Sequence, residues 1–360
     1  LTSLLILWYT PVNDYVIVYG RRGTIATIRD VAERAEVSVA TVSHVINETR
    51  PVSDELRLRV LAAMQALDYQ PNALARGLRR RRTSTLGLII PDTNNPYFAE
   101  VARGIEQAAF ERDYSVILCH SDYSPERELQ YVDVLRAERA AGVIWIPATE
   151  CCEAAERLVE YGMPLVILDR HAPDVQCPSV VADNFRGGYF ATQHLIQLGH
   201  RRIGCIARPV GLSHSQERIL GYQAALSDYG LPVDEILIAK GGFRLEDGRR
   251  VTFQLLDLVP PPTAIFAYND IMAIGALRAA HERGLCVPDD FSIVGFDDIP
   301  QAAFTCPALT TVSQPKLDMG RRGAKLLLDL IDGTGPPVEG DVPLEVRLVV
   351  RESTGQAPQQ

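Results

Sequence analysis

No Cys-x-x-Cys pair, no Gly-x-Gly-x-x-Gly turn and no Gly-x-x-x-x-Gly-Lys-Ser/Thr loop occurs in the 360 residues. The last two absences remove the usual phosphate cradles of dinucleotide- and ATP-binding proteins. The seven cysteines are scattered, and Cys151-Cys152 has no His or Cys at ligand spacing nearby. They read as reduced, mostly packing residues, and neither a metal nor any other cofactor is expected. No apolar run approaches the ~20 residues of a membrane span; Leu4-Leu5-Ile6-Leu7-Trp8 is soon broken by Pro11, Asn13 and Asp14. That stretch also lacks the basic start and small-residue cleavage site of a secretory leader. Residues 1–23 therefore read as an extension outside the fold, with no membrane partner and a cytoplasmic location expected. The segment Glu352–Gln360 lacks the leucine heptads of a helical bundle.

What is present is unevenly distributed charge. The chain has a formal net charge of −9, yet residues 24–82 hold ten arginines and no lysine against seven acidic residues, a balance of +3. A global sum does not exclude a nucleic-acid partner, because binding depends on local patches. The densest run is Arg79-Arg80-Arg81-Arg82, which fits either a solvated linker or a clamp on phosphates.

The same segment has the punctuation of three short helices. Thr27 offers a hydroxyl cap to a helix over about 28–35, with acids in its first turns. Glu36-Val37 forms a turn, and Ser38 caps a second helix over about 40–46. Val42, Val45 and Ile46 share its inward face. Val39, Ala40, Thr41, Ser43, His44 and Asn47 share the outward one. Small and hydroxyl-bearing side chains let such a helix enter a major groove, where apolar groups meet thymine methyls and polar ones meet base edges or phosphates. A third helix begins at a Ser53 cap and carries Leu56, Val60, Leu61, Met64 and Leu67.

Three segments together resemble the headpiece and hinge of the LacI/GalR family. They are Thr27–Ala32, Val37–Asn47 and Tyr69-Gln70-Pro71-Asn72-Ala73-Leu74-Ala75-Arg76-Gly77-Leu78. The resemblance implies base reading by Val39, Ala40 and His44, a further contact at Arg50, and a hinge helix that inserts Leu78 into the minor groove at a kinked step. The full DNA-facing set it implies is Thr27, Ser38, Val39, Ala40, Thr41, Ser43, His44, Asn47, Arg50, Asn72, Ala75 and Leu78. Gly77 costs the free hinge about 1 kcal/mol of helix stability relative to Ala, which makes its order more dependent on DNA.

Beyond Thr83, apolar runs alternate with helical stretches: Leu86–Ile90, Ser115–Leu118, Gly142–Ile146, Leu165–Leu168, Ile203–Ile206, Ala264–Ala267 and Phe291–Phe296. They read as strands buried on both faces of parallel sheets with crossover helices, forming two α/β subdomains. Polar residues cluster just after several of them: Asp92, Asn94-Asn95-Pro96-Tyr97-Phe98, Asp169-Arg170, Asn269-Asp270 and Asp297-Asp298. The carboxyl ends of parallel strands are where ligands sit. Fixed carboxylates and amides with aromatic faces suit a polyol, although Asp270 and Asp298 read better as helix caps.

Asn184-Phe185-Arg186-Gly187-Gly188-Tyr189, Leu198-Gly199-His200-Arg201-Arg202-Ile203-Gly204 and Pro307–Val312 extend the resemblance to the family's periplasmic-binding-protein-like core. By position it implies effector contacts from Tyr97, Phe98, Asp169, Arg170, Arg218, Phe243, Asn269 and Asp297. Family members that bind purines place Trp where this chain has Arg170, and Arg and Thr where it has Leu212 and His214. A purine is thus disfavoured and a sugar favoured.

The fold expected is an all-α helix-turn-helix headpiece over 24–70, a hinge and basic linker over 71–83, and an α/β core over 84–360. One subdomain takes 84–183 and 313–344; the other takes 185–312 and 345–357. The function expected is that of a DNA-binding transcriptional regulator, a repressor first of all, acting as a homodimer on a pseudo-palindromic operator and responding to a small ligand. A nucleobase, a nucleoside or a co-repressor is the alternative effector, and a sugar-binding protein without a DNA role the alternative class. Asp169, His171 and Asp297 could in principle serve acid–base chemistry, but no nucleophile elbow or metal constellation accompanies them, and no enzyme is expected.

Overall fold

The computed structural model describes residues 26–47, 50–69, 83–149, 151–170, 175–208, 213–334 and 341–359. Residues 1–25 and 70–82 lie outside that set, and with them the extension, the hinge residues Asn72, Ala75 and Leu78, and the arginine run. The chain divides into two compact units, 1–76 and 77–360.

In the first unit, α1 (Ile28–Arg34), α2 (Val39–Asn47) and α3 (Asp54–Ala66) pack around Val31, Ala32, Ala35, Val42, Val45, Val60 and Ala63. Thr27 closes a capping box: its backbone N–H donates to the Asp30 carboxylate at 2.6 Å while the Asp30 N–H donates to its hydroxyl at 3.4 Å. Ser38 accepts the Thr41 N–H at 3.0 Å, and Glu36 takes the left-handed conformation that turns the chain between the helices. Arg59 of α3 donates to the Ala35 carbonyl at 2.6 Å, which satisfies the C-terminal end of α1. Two expectations fail. Ser53 makes no side-chain cap bond, and Leu61 is exposed while Ala63 takes the buried position. With a Leu-Arg-Leu-Arg-Val-Leu run there are more leucines than a three-helix core of this size can cover.

The second unit contains two six-stranded sheets. The first has the order β11-β5-β4-β3-β1-β2, from β1 (Thr85–Ile90), β2 (Ser115–His120), β3 (Gly142–Trp145), β4 (Leu165–Leu168), β5 (Ser179–Ala182) and β11 (Asp341–Leu344), all parallel. The second has the order β12-β10-β9-β8-β6-β7, from β6 (Ile203–Ala207), β7 (Ile238–Lys240), β8 (Ala264–Ala267), β9 (Ser292–Asp297), β10 (Thr310–Ser313) and β12 (Arg347–Val349). In this sheet only β12 runs antiparallel.

Helices α4 (Pro96–Phe110), α5 (Pro125–Ala137) and α6 (Glu153–Glu160) follow the strands of the first sheet. Those of the second are α7 (Asn184–Gln197), α8 (Ser213–Asp228), α9 (Leu245–Leu256) and α10 (Asp270–Glu282); α11 (Lys316–Asp332) returns to pack on α4 and the first sheet. The described chain therefore passes between the subdomains three times: after β5, after β10 and after β11.

Strands β3 and β4 are buried along their whole length, as continuous apolar runs require. β2 departs from that expectation. It is an edge strand, and Leu118 is 50% exposed. Of the cysteines, only Cys119 and Cys205 are buried, while Cys151, Cys286 and Cys306 are exposed, which corrects the packing role given to most of them.

His200, fully buried, bonds through Nδ1 to the Thr263 hydroxyl at 2.9 Å and through Nε2 to the Gly355 carbonyl at 3.3 Å. Burial pushes its pKa down to about 4. The folded state thus binds fewer protons than the unfolded one below the ordinary histidine value, so stability is present above pH 6.5 and is lost as pH falls towards 4. The loss is expected to reach up to about 3 kcal/mol. Urea unfolding of His200→Gln across this range should show a flatter pH dependence than the parent chain.

Candidate effector site and nucleic-acid interface

The site is built at the carboxyl ends of the strands. β4 hands over to Asp169-Arg170, β6 to Arg208, β8 to Tyr268-Asn269, and β9 ends on Asp297. Asp169, Asp297 and Asp298 have φ of 67°, 109° and 55°, a region that aspartate tolerates better than most residues but still at a cost. Asn95 and Asn269 accept the N–H groups of Tyr97 and Met272 at 3.0 and 2.9 Å, and so cap α4 and α10.

These elements enclose a cavity of about 20 Å³, lined by Asn95, Tyr97, Phe98, Tyr123, Asp169, Arg170, Arg208, Arg218, Phe243, Tyr268, Asn269 and Asp297. Such a space holds roughly one water molecule. All eight effector positions expected from the sequence line it. Asn95, Tyr123, Arg208 and Tyr268 line it too and were not among those expected. Arg208 carries the signal that found the others, a polar residue directly after an apolar strand; Tyr123 carries it too, three residues past β2 behind Ser121 and Asp122.

The polar groups are fixed by one another. The Tyr97 hydroxyl donates to Asp169 at 2.5 Å, and burial raises the phenol well above its ordinary range. Arg218, on α8, donates from Nε to the Asn184 side-chain oxygen at 2.8 Å and from Nη1 to the Tyr268 carbonyl at 2.7 Å. Its guanidinium lies 3.6 Å from the Phe296 ring centre and 3.8 Å from the Asp297 carboxylate. Burial pushes Asp297 up to about 6, with Arg218 pulling the other way. Gln314 donates to Asp297 at 2.8 Å, and the Lys316 ammonium donates to the carbonyls of Asp297 and Asp298 at 2.6 and 2.7 Å, holding their unusual backbone.

Arg208 donates to the Tyr268 hydroxyl at 3.1 Å and lies 3.9 Å over the Phe243 ring. Phe243 in turn stacks on Tyr123, with centroids 4.1 Å apart and planes within 5°. This stack joins the two subdomains and separates the inner cavity from an outer one of about 370 Å³, lined in part by Asp92, Asn94, Asp122, Arg244 and Glu246.

Asp270 and Asp298 line neither cavity. Asn269, not Asp270, caps α10. Asp270 accepts the Thr311 hydroxyl at 2.5 Å and the Ile299 N–H at 2.8 Å, and Asp298 accepts Arg351 at 2.6 Å. Both are ties within the second subdomain. His171, Leu212 and the His214 side chain lie outside the described residues. Among the described residues no group of three His, Cys, Asp or Glu is placed to hold a metal ion.

In the first unit, Val39 and Ala40 are exposed at the start of α2, while Thr41, Ser43 and His44 are half-buried along it. Val42 and Val45 point into the core. Arg50 is exposed just beyond the helix; the Asn47 side chain is outside the described set.

Comparison with known proteins identifies both units. Residues 27–72 match the family described as bacterial regulatory proteins, lacI family, and residues 192–354 match the periplasmic binding protein-like domain. The HTH-type transcriptional regulator DegA of Bacillus subtilis is 40% identical over 297 residues, covering 82% of this chain and 88% of its own. The chain belongs to the LacI family. Further LacI-family relatives include the HTH-type transcriptional repressor PurR of Mannheimia succiniciproducens, 36% identical over 91% of this chain and 98% of its own. Among solved structures, the lac repressor dimer bound to operator and the anti-inducer ONPF superposes with a TM-score of 0.83 at 30% identity, over 92% of this chain and all of that one. The CelR–cellobiose complex does so with 0.71 at 35%, over 91% and 99%. This LacI-family protein is accordingly a DNA-binding transcriptional repressor with a ligand-binding effector domain. Among its described residues no helix is long and apolar enough to cross a membrane.

Proposed function

We propose that this repressor responds to a sugar bound where the two subdomains meet, and that the sugar changes operator affinity through the relative position of those subdomains. The observation that carries the reading is the convergence of fixed polar groups and aromatic faces around one cavity. Asp169, Asn269 and Arg218 offer acceptors and donors in set orientations, and Phe98, Tyr123 and Phe243 offer ring faces. That combination suits the mixed hydroxyl and C–H surface of a pyranose or furanose. The CelR complex, which holds cellobiose, supports the same ligand class.

The DNA-facing residues are Val39, Ala40, Thr41, Ser43, His44 and Asn47 of α2 with Thr27, Ser38, Arg50 and the hinge positions Asn72, Ala75 and Leu78. The headpiece takes 24–70, the hinge 71–83 and the core 84–360. The working form is a homodimer on a pseudo-palindromic operator. Supporting this, Phe110 is 75% exposed near the edge strand that exposes Leu118, and the lac repressor it resembles is a dimer on operator.

A thermal-shift screen of sugars and nucleobases, followed by operator binding with each hit, tests the reading. A sugar that changes operator affinity about 5- to 150-fold is expected, the range of a roughly 1–3 kcal/mol coupling. If only nucleobases raise the melting temperature, or no sugar that does so alters operator binding, the proposal fails.

A further inference from the structure

The inner cavity carries more positive than negative charge, and one of its cations lacks hydrogen bonds among the described residues. Its charged lining consists of Arg170, Arg208 and Arg218 against Asp169 and Asp297. Arg218 is accounted for by Asn184, the Tyr268 carbonyl and Asp297. Arg170 is different. It is 2% exposed, and its Nε and Nη1 have no hydrogen-bond partner among the described residues. Asp169 stands 3.6 Å from Nε, beyond good hydrogen-bond range, and one of its oxygens is already committed to Tyr97.

Glu128, within electrostatic reach of Arg170, does not fill the gap either. Its Oε1 accepts both the Trp145 indole N–H and the Ala148 N–H, at 3.0 and 2.8 Å, its Oε2 makes no hydrogen bond among the described residues, and burial lifts its pKa to about 7, against the charged form that would pair with a guanidinium. A buried guanidinium without its hydrogen bonds is costly. A bound anion would supply them.

We infer that the effector carries a carboxylate or phosphate group, received by Arg170 with Arg208 and Arg218 beside it. This rests on the reading of the cavity as a sugar site and narrows it to sugar acids and sugar phosphates. The planar guanidinium fork matches both anions and binds either through two parallel hydrogen bonds. The outer cavity reinforces the orientation. Asp92, Asp122 and Glu246 line it with Arg244, so a bound ligand keeps its anion at the inner arginines and its hydroxyl groups towards the carboxylates, although the same acidic mouth slows an anion's entry. The Tyr123–Phe243 stack must part for the ligand to pass, since about 20 Å³ does not hold a sugar.

The test uses the purified full chain and matched triads: D-glucose, D-glucuronate and D-glucose 6-phosphate, with the corresponding galactose and ribose sets. Calorimetric titration is expected to show an anionic member of at least one triad binding about 10-fold or more tighter than its neutral parent. Whether the acid or the phosphate does so identifies the source of the charge. Arg170→Gln should weaken that anion by about 10-fold or more and its neutral parent by less. A purely structural role for Arg170 would weaken both alike. If a neutral sugar binds as tightly as its anions, the inference is overturned and the sugar reading stands. If no member of any triad binds, both fall. Should Arg170→Gln not fold, the comparison of triads on the parent chain decides alone.

Discussion

Replacing Arg218 with leucine is expected to destabilise the core by about 3–5 kcal/mol and to abolish its response to effector. The guanidinium is buried, and it is the cation 3.8 Å from the equally buried Asp297. Leucine leaves that carboxylate without compensation. The pH dependence gives the cause away. The Asp297 pKa is already raised, from 3.8 to about 6, so its contribution to stability falls as pH rises through that interval. Without Arg218 it rises further, and the deficit of the variant grows with pH. Urea unfolding should show a larger loss at about pH 8 than at about pH 5, and adding Asp297→Asn should recover part of it. A loss of equal size at both pH values would mean that packing, not charge, is what Arg218 supplies.

Gly188→Ala is expected to be nearly as damaging, through the same arginine. A Cβ at Gly188 would stand under 3.0 Å from the backbone oxygen of Arg218, and one at Gly221 would come equally close to that of Phe185. Here α7 and α8 touch backbone to backbone, so no side chain can turn away to make room. Overpacking of this kind costs about 1–3 kcal/mol, and a backbone clash belongs at the upper end. With roughly 2–4 °C per kcal/mol for a domain of this size, calorimetry should find the melting temperature of the core lowered by about 6–12 °C. Because α7 carries Asn184 and α8 carries Arg218, the helices that are forced apart also pull the 2.8 Å bond between them, and effector affinity should fall in whatever protein still folds. An unchanged melting temperature would show that the helices have room to separate.

How far the sequence discloses such features depends on their local signal. Leu165–Leu168 and Ala264–Ala267 are legible because a strand covered on both faces is apolar throughout. Ser179–Ala182 and Ile238–Lys240 are not, since such short stretches carry no periodicity and their pairing is decided by distant strands. Ser115–His120 looks like its neighbours until the topology puts it at an edge. The effector positions follow from family register and from strand ends; Tyr123 also follows a strand end, but it lies outside the register of the resemblance, and its stacking on Phe243 joins residues 120 positions apart. Arg208 has the strand-end signal yet lies outside the expected set, while Leu61 has the right spacing and is exposed. Helical periodicity says which residues share a stripe, not how wide the covering neighbour is.

The three passages between subdomains also govern how the chain can be made. The first sheet begins at Thr85, but its edge strand Asp341–Leu344 and the helix Lys316–Asp332 that covers it come after nearly all of the second sheet. During synthesis, the half that starts first is therefore the half that waits, with an open strand edge and an uncovered apolar face, until the later half has left the ribosome. Such late, non-local closure is slow and exposes aggregation-prone surface. A nascent chain arrested before Lys316 is thus expected to be the vulnerable species, and it is there that chaperones would find this repressor.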